Sequence, residues 1–75
     1  MTTYLIRSTR SRMYLACYDY ARKTLDSPWY WVSEQKDAWK FPYLTEANLY
    51  ALRNYIQFYE VIPVSVKTTQ SEYSI

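Results

Sequence analysis

The chain has 75 residues, 49% apolar, 21% charged and 20% aromatic, with ten tyrosines, three tryptophans, one cysteine, no histidine and no glycine. One small domain follows, since a chain this short buries only about 60% of the surface its unfolded form exposes, which leaves no room for a large internal substrate cavity. The missing residue types remove histidine-based hydrolase triads, Cys/His metal sites and glycine-rich phosphate loops.

Thr2 to Ser8 (TTYLIRS) is β-branched and aromatic and reads as a first strand. After the polar break Thr9 to Ser11, Arg12 to Tyr20 (RMYLACYDY) reads as a second, and the two form a hairpin with Arg10 and Arg12 at its tip. Its turn has no Asn-Gly signal, which leaves type and register open. Residues 21–28 are polar and close on Asp-Ser-Pro, a turn signal. Trp29 to Ser33 (WYWVS) is a third strand, Glu34 to Ala38 a short helical turn, and Trp39 to Phe41 extended chain ended by Pro42.

Thr45 to Phe58 is the one strong helix, with Thr45 as N-cap, Leu44 as a staple residue and Glu46 near the positive end of the dipole. Ala47, Leu49, Ala51, Leu52, Tyr55 and Ile56 fall within an arc of roughly 200° on it, with Asn48 as a polar exception. Tyr59 to Val66 (YEVIPVSV) is the last strand, and Pro63 places it at a sheet edge or on a bulge. Residues 1–66 thus form one domain, and the polar stretch 67–75 reads as a frayed tail.

This element order predicts an α+β fold: a small antiparallel sheet of three to four strands with the one main helix on one face. Alternation puts Met13, Leu15 and Cys17 on one side of the second strand and Tyr14, Ala16, Tyr18 and Tyr20 on the other. The first set, with Ile62, Val64 and Val66, makes a helix-facing core. The second leaves tyrosines on the open face, joined by either the Trp29/Trp31 pair or Tyr30/Val32, because a one-residue slip exchanges the two sets.

No catalytic, cofactor-binding or metal-binding residue emerges. Cys17 lies in an apolar alternation with no histidine to activate it, and Asp19 and Asp26 have nothing to fix them as an acid/base pair. The expectation is a non-enzymatic protein. Two binding readings remain. In the first, Tyr14, Tyr18, Tyr20 and Tyr30 anchor a protein partner, with Arg10 and Arg12 as rim charges. In the alternative, Arg7, Arg10, Arg12, Tyr4 and Tyr14 of the basic hairpin bind phosphate and stack bases. Charge is uneven in that direction: residues 1–23 carry five cations against Asp19, a net of +4, and residues 24–75 a net of −2. A structural subunit, as a monomer or an edge-paired homodimer, is the third possibility. One unpaired cysteine, an N-terminus without a signal-like apolar run and no stretch of about 18 apolar residues imply a cytoplasmic protein with no membrane partner.

From Tyr14 to Val66 the order of features resembles many short uncharacterised open reading frames of bacteriophages and prophages. Their pattern is a hairpin, a tryptophan, a polar stretch ending in alanine, an aromatic, an alanine-bearing helix and a Val/Ile-rich strand. The matching stretches are WVSEQKDAWKF, LTEANLYALRNYI and YEVIPVSV, with Trp31, Ala38, Phe41, Ala47 and Val61 to Val64 in the corresponding places. The resemblance implies an accessory product made in the bacterial cytosol that binds a host enzyme, a defence complex (as anti-CRISPR proteins do) or a phage component, and it transfers no catalytic residues.

Overall fold

The computed structural model describes residues 2–18 and 28–65. They form strands β1 (Thr2–Ser8), β2 (Tyr14–Cys17), β3 (Trp29–Val32) and β4 (Tyr59–Ser65), a 3-10 turn at Gln35–Asp37, and one helix, α1 (Leu44–Arg53). The sheet is antiparallel throughout, in the order β3-β2-β1-β4. The chain leaves β3 at one edge and returns as β4 at the other, so α1 crosses one face. The predicted tail 67–75, Val66, and Asp19 and Tyr20 of the predicted second strand lie outside the described residues.

The core forms between α1 and the sheet. Ile6, Leu15 and Cys17 face Ala47, Tyr50 and Ala51, with Trp39, Phe41 and Ile56 completing the buried cluster. Two alanines on the inner helix face let the backbone approach the strands closely. Tyr50 then fills the remaining depth, meeting Trp39 edge-on at 4.6 Å and lying 5.8 Å from Phe41 between ring centroids. Trp39 and Phe41 themselves stack at 4.4 Å. They project together because they are two apart on extended chain.

That extended segment also joins the sheet. β1 and β2 pair at Arg7 and Tyr14 near the hairpin. Further along, Phe41 exchanges both backbone hydrogen bonds with Tyr4, each 2.8 Å, while the Trp39 N–H donates to the Leu15 carbonyl at 2.9 Å. Residues 39–41 therefore link both central strands and position the aromatic pair beneath the helix.

Strand β4 corrects the expected core. Ile6 faces the helix and pairs with Val61, so Tyr59 and Val61 face it too, while Ile62, opposite Leu5, and Val64 lie on the far side. Both sets are apolar, and alternation separates them without saying which meets the helix. In β3 the tryptophans pack against the core and Tyr30 and Val32 take the far face. Pro63 sits on an edge strand, where its missing N–H costs no ladder bond.

The helix is shorter than its sequence pattern, and it presents a different face. Tyr43, not Thr45, occupies the N-cap position, and it makes no side-chain cap. The helix stops at Arg53 in a Schellman turn: the Tyr55 N–H donates to the Leu52 carbonyl at 3.3 Å and the Ile56 N–H to the Ala51 carbonyl at 2.9 Å. Tyr55 takes the left-handed position at φ 56°, and Ile56 turns inward to bury beside Ala51. Leu49 and Leu52, expected in the core, are exposed because the stripe that includes Tyr50 wins the interior. Asn48 is half-buried and accepts a 3.4 Å hydrogen bond from the Tyr59 hydroxyl.

Burial, reinforced by the nearby Cys17 sulfur, pushes the Tyr50 phenol up from 10.0 to about 12. The folded state then holds this proton more tightly than the unfolded chain. The resulting stability is whole below about pH 10 and is lost as pH rises towards 12. Urea melts across that window should show a fall in stability that is smaller in Tyr50→Phe. Tyr50→Ala should cost on the order of 3–5 kcal/mol, enough to leave a domain of this size largely unfolded by circular dichroism.

Candidate interaction surfaces

The sheet face away from α1 carries most of the tyrosines singled out in the sequence. Tyr14 stands between Arg7 and Val32, and Ala16 opposite Tyr30. Tyr18 follows β2 in a bend, and its N–H donates to the Pro28 carbonyl at 3.1 Å, which prolongs the β2–β3 pairing by one step. Its ring lies 4.2 Å from that of Tyr30 between centroids, tilted by 38°. Tyr18 is 65% exposed, whereas Tyr14 and Tyr30 are half-buried. Tyr20 lies outside the described residues. The face is not uniformly open, because Leu5 and Ala16 on it are fully buried.

Arg7 belongs to the same face and is committed there. Its Nη2 lies 2.7 Å from Glu60 Oε2, and its Nε–H donates to the same oxygen at 2.8 Å. Hydrogen bonds to Glu60 first and to Tyr14 second raise the guanidinium's pKa further above its ordinary value. Its charge is therefore matched by a carboxylate, which removes it as a ready phosphate ligand.

The hairpin tip is built on Ser8. Its Oγ accepts from the N–H groups of Arg10 and Ser11 at 3.2 and 3.1 Å, and its carbonyl accepts from the Arg12 N–H at 3.0 Å. Arg12 holds the left-handed position of the turn at φ 65° and is exposed. Arg10 lies with its guanidinium carbon 3.8 Å from the Phe58 ring centroid. The Phe58 carbonyl accepts from both the N–H and the hydroxyl of Thr9, at 2.7 and 2.9 Å, which ties the tip to the entry of β4.

The residues of the basic-hairpin reading are thus not gathered on one surface. Tyr4 packs on the helix side, Arg7 and Tyr14 share the far face, Arg7 is ion-paired, and Arg10 covers Phe58. Cys17 is fully buried in the core. Among the described residues no cluster of His, Cys, Asp and Glu could hold a metal ion, and no helix is long and apolar enough to cross a membrane.

A second apolar surface escapes the sequence pattern. Tyr43, Leu44, Leu49, Leu52, Tyr55 and Phe58 are all exposed, and they lie along the helix and the turn that ends it. The available signal was volume: Tyr50 is the largest side chain on its stripe, so placing it inward turns Leu49 and Leu52 out.

Scans against family models, curated proteins and solved structures find no match to the chain.

Removing the Tyr18 ring should cost no more than about 1 kcal/mol, since the ring is mostly exposed and loses chiefly its contact with Tyr30. Arg7→Gln should lower the denaturant midpoint only slightly, as expected for a partly exposed ion pair. Denaturant midpoints of the two variants check both expectations.

Proposed function

We propose that this chain is a non-enzymatic binding protein of the phage-accessory type, which occludes or redirects a host or defence protein through the tyrosine face of its sheet. The observation that carries the reading is the Tyr18–Tyr30 pair: two rings in tilted contact on the face away from the helix, one of them largely exposed. Tyrosine offers wide, rigid contact area with little side-chain entropy to lose, and aromatic anchors dominate protein interfaces. Tyr14 and half-buried Val32 extend the face towards the hairpin, where Arg10 and Arg12 serve as rim charges that steer encounter and orientation. The sequence resemblance directs the choice of partner towards host and defence proteins.

The test is affinity capture from bacterial lysate with the wild type and with a Tyr18→Ala/Tyr30→Ala variant whose melting temperature is measured alongside. The reading expects a specific partner retained by the wild type and lost by a variant that remains folded. Capture unaffected by the double substitution would sink it. In parallel, a mixed-sequence single-stranded oligonucleotide titrated at low and moderate salt should leave tryptophan fluorescence unchanged. Saturable quenching that weakens with salt would install the nucleic-acid reading in its place.

A further inference from the structure

The helix-side strip calls for an explanation that folding does not supply. Leu49 and Leu52 lie one turn apart on the outer face of α1, opposite Ala47, Tyr50 and Ala51. Tyr55 follows at the helix stop and Phe58 at the entry to β4. Tyr55 is 88% exposed and Leu52 68%. Both Tyr55 and Phe58 hold left-handed backbone, at φ 56° and 55°. Glycine meets that demand without strain, and a bulky side chain pays for it in free energy. At Phe58 the ring at least receives Arg10. At Tyr55 the ring stands almost wholly in solvent, so the fold gains little from it in return for the strain.

Positive charge outweighs negative around the strip. Glu46, one turn before Leu49, and Arg53 offset each other, and the excess comes from the hairpin. Arg10 lies on Phe58 itself, and Arg12 is two residues further along the same loop. Neither arginine has a carboxylate partner among the described residues, where the ion pairs are Arg7–Glu60 and Lys36–Glu34.

We propose that Leu49, Leu52, Tyr55 and Phe58, edged by Arg10 and Arg12, dock an acidic amphipathic helical segment of a protein partner. Its apolar side chains lie on the strip and its carboxylates meet the arginines. Nucleic acid fits less well, because two of the four strip residues are leucines, which offer no ring to stack a base. A second copy of the chain fits less well too, since it would bring the same arginines into the joint. This surface shares Arg10 and Arg12 with the rim of the tyrosine face but none of its tyrosines, and the proposal does not depend on that face being used.

The probe is a pair of synthetic helical peptides with the same leucines at i, i+3, i+4 and i+7, one with glutamate and the other with lysine at the flanking positions. Each is titrated into the ¹⁵N-labelled full chain. The glutamate peptide should give saturable amide shifts at 49–58 and 9–13 that weaken with salt, and the lysine peptide should bind at least about tenfold more weakly. Tyr55→Gly should melt at the same or a higher temperature yet bind the glutamate peptide about tenfold or more weakly, which separates lost contact from lost fold. Tyr18→Ala should bind it like the wild type. No saturable shift with the glutamate peptide, equal affinity for both peptides, or unchanged affinity in Tyr55→Gly would each overturn the proposal. Shifts centred on Tyr14, Tyr18 and Tyr30 would do so as well, and would assign the peptide to the tyrosine face.

Discussion

Everything in this fold depends on three rings. Trp39 and Phe41 come from an extended segment that hydrogen-bonds to β1 at Tyr4 and to β2 at Leu15, and Tyr50 comes down from the helix to meet them. The segment thus acts as backbone for the sheet and as side chain for the core. Aromatic contact adds roughly 0.5–1.5 kcal/mol per pair beyond area burial, a large fraction of the margin available to so short a chain. The same cluster fixes the rotation of α1, and through it every side chain the helix turns outward.

A chain without glycine must still turn. Arg12, Tyr55 and Phe58 occupy the left-handed positions that close the hairpin, stop the helix and enter β4. Hydrogen bonds over-determine the first two: Ser8 gathers the hairpin loop, and the Schellman pair with buried Ile56 holds the helix end. Phe58 is held by Thr9 and Arg10. The strain is therefore spread over loops that present arginine and aromatic side chains to solvent, which joins the turn chemistry to the binding surfaces.

The sheet has apolar residues on both faces. On the helix side they belong to one continuous core. On the far side Leu5 and Ala16 are fully buried, while Ile62, Val64, Val32, Tyr14 and Tyr30 are half-buried and Tyr18 stands out. Adjacent buried residues such as Leu5–Ile6 and Ala16–Cys17 record this in the sequence, because a strand with one wet face alternates more cleanly.

Much of the architecture was legible from residues alone. The hairpin, the third strand, the turn at Gln35–Asp37, the extended Trp39–Phe41 piece, the single helix and an edge strand marked by Pro63 all follow from local pattern and turn chemistry. So does the division of β2 into Leu15/Cys17 and Tyr14/Ala16 sets. Sequence did not place β4 correctly: it set Ile62/Val64 against the helix, whereas pairing with β1 brings Tyr59/Val61 there, and both sets are apolar. Nor did it decide that Tyr50 enters while Leu49 and Leu52 stay out, since periodicity weighs residues by polarity and the core selects by volume and ring geometry. Arg7 looked like a free cation until the register brought Glu60 opposite it, 53 positions away in the chain. Local chemistry determined the elements of this protein. Contacts between residues distant in sequence decided which of its many apolar and charged side chains remain on the surface to act.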